Sequence, residues 1–215
     1  MKILIDNGHG ARDLTKGKFS APVTGMGIAD ETIVKDRFRE GEFNRIVARS
    51  LVKELVSLGY DAALLVPEDA DVSLSERCRR VNAWCKRLGS RNVIVISIHG
   101  NALGTGNDWF DANYWSVWTS KGQTASDAIA TSLWEGCKEV MPDMKFGSQM
   151  YHDGDVDYES QFYILVHTSC AAVLTENFFY TNKENLRFMA SAEGRRQIVS
   201  GHVRGIVRYL ESVAG

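Results

Sequence analysis

Residues 92–98 read NVIVISI, and His99 follows them directly, before Gly100 and Asn101. Five of these seven residues are valine or isoleucine. A short run of β-branched apolar residues is typical of a strand that is covered on both faces. Such strands belong to parallel sheets between layers of helices, which place their functional sites at the carboxyl ends of the strands. The stretch therefore indicates an α/β fold and marks His99 as a candidate site residue.

The rest of the chain alternates between strand and helix patterns. Strands are predicted at 2–6, 61–66, 113–118 and 171–175, and helices at about 41–58, 76–88, 122–140 and 194–211. The first helix carries a stripe of apolar residues at spacings of four and three: Phe43, Val47, Leu51, Leu55 and Leu58. The alternation predicts an α/β fold class, in which a single three-layer domain has a mostly parallel twisted sheet with helices on both faces.

Composition excludes several classes of function. The chain has 215 residues and a formal net charge of -2, which argues against a broad basic surface that binds nucleic acid. No apolar run approaches the roughly 20 residues that span a bilayer. The apolar stretch Ile3, Leu4 and Ile5 is too short for a signal peptide. We therefore expect a protein without a membrane span that is cytoplasmic as synthesised. Its oligomeric state does not follow from composition, and a monomer is our expectation.

Three polar residues lie at strand ends that meet at one edge of the predicted sheet. His9 follows the first strand, His99 follows the strand 92–98, and Glu176 follows the strand 171–175. Two imidazoles and a carboxylate could form a catalytic zinc site, which uses three protein ligands and keeps one position open. Hydrogen-bonded loop residues are the other interpretation, and the pattern alone leaves both open.

Five motifs, in chain order, resemble those of a known family. They are IDNGHG (5–10), EGEFNRIVARSLVKEL (40–55), VSLSERCRRVN (72–82), ISIHGNA (96–102) and AAVLTENFFYTNKEN (171–185). Together they resemble the zinc-dependent N-acetylmuramoyl-L-alanine amidases of the amidase-3 type, both bacterial and phage. The resemblance implies that residues 1–215 form one catalytic domain. Its expected substrate is peptidoglycan or a muropeptide, and its cofactor one Zn²⁺ ion per chain.

The resemblance also assigns roles to individual residues. The zinc ligands would be His9, Glu40 and His99, and Glu176 would be the catalytic acid–base residue. We add Asn101, two residues after His99, as the candidate substrate-binding side chain. In this chemistry the metal activates a water molecule and Glu176 takes its proton.

The middle ligand has two candidates, Glu40 and Glu42. The family's glutamate stands four residues before a polar residue, here Asn44, and eight before a small residue, here Ala48. Glu40 fits both spacings and Glu42 fits neither. Asp6 is either a hydrogen-bond partner of a zinc-bound imidazole or a strand-end cap. The loop 7–39 is long for the family, and we expect it to influence substrate choice.

Other polar and aromatic residues receive weaker interpretations. The segment 151–159 (YHDGDVDYE) lacks the glycine and glutamate positions of an EF-hand, so we favour a solvated loop over a calcium site. Three tryptophans could line a sugar groove, with core packing expected for at least one: Trp109, Trp115 and Trp118. The remaining histidines are interpreted as non-ligands: His152, His167 and His202.

Alternative functions remain at this level. A zinc peptidase or another amidase on the same fold would share the metal site but cut a different amide. A non-catalytic peptidoglycan-binding module would not require Glu176. A non-metal α/β hydrolase would need a G-x-S-x-G elbow, which the sequence lacks. The biological setting is also open between a phage lysin released by a holin and an enzyme that recycles wall fragments.

Overall fold

A computed structural model describes residues 1–11, 18–28, 36–150 and 154–214 of the chain. Its strands are β1 (Lys2–Asn7), β2 (Ala62–Leu64), β3 (Val93–Asn101), β4 (Tyr114–Thr119), β5 (Lys145–Phe146), β6 (Tyr158–Glu159) and β7 (Ala171–Phe179). Its helices are α1 (Glu40–Ser57), α2 (Leu74–Leu88), α3 (Ala125–Val140), α4 (Tyr163–Val166), α5 (Lys183–Ala190) and α6 (Ala192–Ala214).

One sheet organises these elements, in the order β2-β1-β3-β7-β4-β5, with β6 paired to β4. Strands β2, β1, β3 and β7 run parallel, whereas β4 runs antiparallel to β7. The register sets His99 opposite Glu176 in neighbouring strands. A parallel centre with an antiparallel addition confirms the predicted mostly parallel sheet.

The strands bury both of their faces, as the apolar pattern predicts. Ile3 and Ile5 of β1 belong to a large core that also includes apolar residues of α1, α3, α5 and α6. Leu4, between them, belongs to a second core that contains residues of α2 and α4. Because side chains alternate between the faces of a strand, these two cores lie on opposite sides of the sheet. The three-layer arrangement is therefore confirmed.

The ends of the central strands differ from the prediction in a way that affects the site. Strand β3 continues to Asn101 and β7 continues to Phe179, so His99 and Glu176 lie inside the sheet and not in the loops after it. Both predicted strands were too short because their ends were set by the apolar pattern. Polar residues replace apolar ones where the sheet approaches the site. The short elements β5, β6 and α4, and the helix α5, were not predicted from the sequence.

The segment 7–39 has little regular structure where it is described. Residues 18–28 and 36–39 contain one isolated antiparallel bridge, between Phe19 and Arg39. None of the helices in the described ranges has the length and apolar character that crossing a bilayer requires.

Candidate active site

Three side chains from distant parts of the sequence converge at the carboxyl edge of the sheet. One ligand-type atom from each of His9, Glu40 and His99 lies within 4.8 Å of the others. Nδ1 of His99 is 2.9 Å from Oε1 of Glu40, and Nε2 of His9 is 3.4 Å from the same oxygen. The two imidazole rings meet edge to face, with centroids 4.9 Å apart. The structure therefore brings together the residues that the sequence nominated.

His9 is held in an unusual backbone conformation. Its φ is +61°, in the left-handed region that residues other than glycine rarely adopt. Two buried arginines bind its carbonyl oxygen: Arg45 Nη1 at 2.5 Å and Arg77 Nη2 at 3.4 Å. Backbone strain at a site persists only where the surroundings enforce it. Here the two guanidinium groups hold the main chain so that the imidazole faces Glu40.

Glycines allow the His9 loop to pack against its neighbours. A Cβ atom on Gly8 would lie 2.1 Å from Cε1 of His99, so only glycine leaves room for that ring. A Cβ atom on Gly41 would lie 1.9 Å from the carbonyl oxygen of Gly10. The first turn of α1 therefore rests directly on the loop, and this contact places Glu40 between the histidines.

Glu40 is buried and surrounded by donors. Asn44 Nδ2 is 3.5 Å from its Oε1, the Tyr180 hydroxyl donates to its Oε2 at 3.3 Å, and Lys18 Nζ lies 3.5 Å from Oε2. Burial alone would raise the pKa of Glu40. Hydrogen bonds and charges from the two histidines outweigh burial and hold that pKa well below its usual range. Glu40 is thus a carboxylate at neutral pH, as a metal ligand must be.

Glu42 occupies a different environment. Its carboxylate is 4.0 Å from Arg39 Nη1 and is partly exposed. The helix turns Glu42 away from the histidines, because residues two apart on a helix do not share a face. Of the two glutamates, Glu40 is the one that the fold brings to the site.

Glu176 lies beside the three converging residues on β7. It is buried, and burial raises its pKa to about 8, with a further rise from the charge of Glu40 and opposing effects of Lys18 and His9. Its Oε2 has no hydrogen-bond partner among the described residues. A buried carboxyl group that has a raised pKa and an oxygen without a hydrogen-bond partner among the described residues is suited to exchange protons with a bound molecule.

The donor set fits a zinc ion. Zinc prefers imidazole nitrogen and carboxylate oxygen at about 2.0–2.2 Å in tetrahedral geometry, which sets donors roughly 3.3–3.5 Å apart. The separations of 2.9 and 3.4 Å from Glu40 Oε1 to the two histidine nitrogens are close to that spacing. Three protein ligands would leave one coordination position for water or substrate. Glu176 lies beside these ligands, where it could exchange a proton with the molecule bound there.

A cavity of about 370 Å³ opens beside these residues. Its lining includes both histidines, Glu176 and Lys18, together with residues of α2 and α4. These side chains therefore face a space that is large enough to receive part of a bound molecule.

Asp6 and Asn101 have other partners. Asp6 accepts from Arg77 Nη1 at 2.6 Å and from the Ser97 hydroxyl at 2.6 Å, so it forms a buried ion pair between β1 and α2. Both oxygens of Asp6 are used by Arg77 and Ser97, and no imidazole is among the hydrogen-bond partners of Asp6 in the described part of the chain. The Asn101 side chain accepts from the Ala102 N–H at 2.8 Å, and its contact with substrate stays a prediction.

The three tryptophans are placed differently from one another. Trp115 is fully buried, as expected for at least one of them, and its indole donates to Asn177 Oδ1 at 2.8 Å. Trp118 is half-buried and stacks on Tyr158 with ring centroids 4.8 Å apart. Trp109 packs against the larger core. None of the three is among the described residues that line the cavity.

The remaining histidines lie away from the three-ligand site where they are described. His202 is buried in α6 and contacts Ile198 O at 2.8 Å and Thr175 Oγ1 at 3.0 Å. Burial lowers its pKa to about 4, although the bond to Ile198 opposes that shift. The rings of His167 and Tyr163 stack with their centroids 3.7 Å apart. His152 lies outside the described residues.

The acidic segment is not uniformly solvated. Asp157 is only 1% exposed and accepts from the Thr119 hydroxyl. Burial is the main cause that raises its pKa to about 6. The solvated-loop interpretation is therefore wrong for Asp157, while residues 151–153 lie outside the described part of the chain.

Several residues of the site were missed by the sequence reasoning. No distinctive spacing marks Arg45, Lys18 or Tyr180. In sequence, a side chain that contacts the site looks the same as one that faces solvent. Arg77 falls inside the motif at 72–82 and could have been found there. What these four residues share is contact with Glu40 or with the loop that carries His9.

A family model and a curated relative match most of the chain. The family model Amidase_3, described as N-acetylmuramoyl-L-alanine amidase, matches residues 3–208. An endolysin of Bacillus phage SPP1 is 26% identical over 212 residues; these are 97% of this chain and 65% of that protein, so the chain spans less than two thirds of this relative's length.

Solved structures show the same fold. N-acetylmuramoyl-L-alanine amidase AmiC2 of Nostoc punctiforme superposes with a TM-score of 0.73 at 22% identity, covering 98% of this chain and 97% of that one. The N-acetylmuramyl-L-alanine amidase Ami1 of Mycobacterium smegmatis gives 0.71 at 21% identity, covering 99% and 97%.

Proposed function

This chain belongs to the N-acetylmuramoyl-L-alanine amidase family Amidase_3, and from that premise we propose that it hydrolyses the amide between N-acetylmuramic acid and L-alanine in peptidoglycan. We propose one zinc ion per chain, with His9, Glu40 and His99 as ligands, and Glu176 as the catalytic residue. The observation that supports the proposal is the convergence of these three ligand-type side chains beside Glu176. The carboxyl group of Glu176 is buried, and its Oε2 makes no hydrogen bond to the described residues.

The residues of the chain have distinct tasks in this proposal. Zinc, when bound, polarises the amide carbonyl and lowers the pKa of the attacking water. The positive charge of a bound zinc ion would oppose the rise in the pKa of Glu176 and favour its carboxylate form, so that Glu176 can accept the proton of that water at Oε2. It then delivers the proton to the nitrogen of the departing alanine. A single carboxylate suffices for both transfers because the two steps follow one another.

The surrounding residues keep the ligands in place. Arg45 and Arg77 fix the main chain at His9, and Asn44 and Tyr180 contact the carboxylate of Glu40. Partners of this kind orient ligands and tune metal affinity. Residues 1–215 form a single catalytic domain in this proposal, and Asn101 contributes to substrate binding from the end of β3.

The similarity to a phage endolysin supports a role in cell-wall lysis. We propose that the protein is made in the cytoplasm and reaches the wall by release, with peptidoglycan or its muropeptides as the partner. The lytic setting favours polymeric wall over recycled fragments as the substrate.

Product analysis tests the proposed bond directly. Digestion of purified peptidoglycan should release peptides that begin with an unblocked L-alanine amine, without new reducing sugar ends. Labelled amino ends are identified by mass spectrometry, reducing ends are counted separately, and zinc-loaded Glu176→Gln protein is the matched control. If the new amines belong to another residue, the proposed zinc chemistry stands, but the enzyme cleaves a different amide. Reducing ends without alanine amines would refute the proposal.

A further inference from the structure

Strand β7 contains a β-bulge directly after Glu176. His99 pairs with Glu176, but the next pair along the strands is Asn101 with Phe179, so β7 has one residue more than β3 between the two pairs. Phe178 lies in this longer stretch with a φ of +66°, in the left-handed region where a bulky side chain is rarely found. Bulges bend a strand and redirect its side chains, and they are frequent beside active sites.

The bulge changes the face of the sheet to which the following residues point. Before it, Val173 lies in the larger core and Leu174 in the smaller one. After it, Tyr180 lies in the larger core, although regular alternation would place it on the face of Leu174. The same stretch of chain therefore directs Glu176 toward the cavity and the Tyr180 hydroxyl toward Glu40, to which it donates at 3.3 Å.

The side chain of Asn177 joins the strands at the bulge. It is fully buried, and its Nδ2 donates to the carbonyl oxygen of His99 at 2.9 Å and to Oγ1 of Thr175 at 3.2 Å. Its Oδ1 accepts from the indole N–H of Trp115 at 2.8 Å. The amide of Asn177 therefore contacts β3, β4 and β7 and is held at both of its polar atoms.

These contacts connect two residues of the site. Asn177 follows Glu176 directly in the chain, and its amide binds the main chain of His99 on the neighbouring strand. A bulge interrupts the ladder of main-chain hydrogen bonds, so the two strands are held less firmly here than in a regular pair. The Asn177 side chain supplies a bond between them at this position. Its loss would let the strands shift and change the separation of His99 and Glu176.

We propose that Asn177 is a positioning residue that keeps the metal ligand His99 and the base Glu176 in fixed register across the bulge. Asn177 is buried against Trp115 of the larger core, so it acts through the main chain of these two residues and not by contact with substrate. The inference rests on the proposed function, since it takes the roles of His99 and Glu176 from it.

Replacement of Asn177 by leucine tests the proposal, because leucine has a similar shape but neither donor nor acceptor. In Asn177→Leu, kcat for muropeptide hydrolysis should fall by about 10- to 100-fold while KM changes by less than about threefold, because misplaced reacting groups slow mainly the chemical step. Zinc affinity, measured by competition with a chelator, should fall by about tenfold. The visible absorption spectrum of the Co²⁺-substituted protein should also change, since it reports the geometry of the metal ligands.

Thr175→Val is the matched control for a merely structural effect. Thr175 lies on the same strand, is fully buried, and its Oγ1 is 3.0 Å from Nε2 of His202, so valine also removes a buried hydrogen bond. In the described part of the chain, the Thr175 side chain makes no hydrogen bond to His99. Urea denaturation should show a loss of stability in both variants, whereas only Asn177→Leu should change kcat and the Co²⁺ spectrum.

The outcomes separate this inference from the proposed function. If Asn177→Leu does not fold, Asn177→Ser takes its place, because the shorter side chain does not extend to the carbonyl of His99, and the same difference from Thr175→Val is expected. Equal effects of the substitutions at Asn177 and Thr175 on kcat and on the Co²⁺ spectrum would overturn the positioning role and leave the function standing. If Asn177→Leu changes the Co²⁺ spectrum but the unchanged protein never releases alanine amines, the positioning of His99 stands and the proposed function is wrong.

Discussion

Replacing Arg45 by Met should loosen both the fold and the metal site. The Arg45 guanidinium is buried and donates to four backbone carbonyls, those of His9, Gly41, Glu68 and Ala70. Methionine keeps most of the aliphatic stem but offers no donor. The variant therefore removes a donor from each of these carbonyls, and the carbonyl of the strained residue His9 keeps only the longer contact with Arg77 at 3.4 Å.

The magnitude follows from the contacts that are lost. A hydrogen bond in a protein contributes about 1 kcal/mol net, and an unsatisfied buried acceptor costs about 1–3 kcal/mol. Burial and then the charge of Arg77 lower the pKa of Arg45, which shows that holding this cation inside is itself costly. Some water can also enter, so we expect the free energy of unfolding to fall by about 2–4 kcal/mol. Zinc affinity should fall by roughly 10- to 100-fold.

Urea denaturation of the zinc-free protein measures the first effect, and competition with a chelator measures the second. Arg49→Met is the matched control, since Arg49 lies one turn further along α1 and makes an exposed ion pair with Asp69 at 2.9 Å. The control should lose at most about 1 kcal/mol and keep its zinc affinity. Equal effects of the two substitutions, or an unchanged zinc affinity in Arg45→Met, would refute the claim that Arg45 positions His9.

Three further predictions concern single residues. Glu40→Ala should lose zinc while Glu42→Ala retains it, because only Glu40 contacts the histidines; elemental analysis that gave the reverse order would contradict the ligand assignment. Glu176→Gln should stay folded and zinc-loaded but lose activity by roughly 10²- to 10⁴-fold, and near-normal release of alanine amines would show that Glu176 is not the base. His202 has a folded-state pKa of about 4, below the roughly 6.5 of an unfolded histidine, so stability from its neutral form is present above pH 6.5 and is lost as the pH falls toward 4. The loss in the free energy of unfolding is about 3 kcal/mol at most. In parallel denaturation experiments, the free energy of unfolding of His202→Asn should fall less steeply over this pH range than that of the unchanged protein. Identical slopes for the two proteins would contradict the prediction.

The sequence alone determined the layers of the fold and the identity of the central side chains. A run such as 92–98 indicates a strand that is covered on both faces, and its alternation with helix patterns predicted a parallel sheet between helices. His9, His99 and Glu176 could be nominated because parallel strands bring their carboxyl ends to one edge. The resemblance added Glu40, and its spacing to Asn44 selected it over Glu42.

The tertiary structure decided what surrounds those side chains. The choice of Arg77 as the partner of Asp6 depends on how α2 crosses the sheet, and the burial of Asp157 depends on the pairing of β6 with β4. No local pattern encodes such contacts, because a single side chain looks the same in sequence whether it faces solvent or a neighbouring element. The cavity is likewise a product of packing, since its described lining includes residues of α2, α4 and three strands that are far apart in the chain. Periodicity fixes which face of an element is buried, but only the assembled layers fix what that face meets.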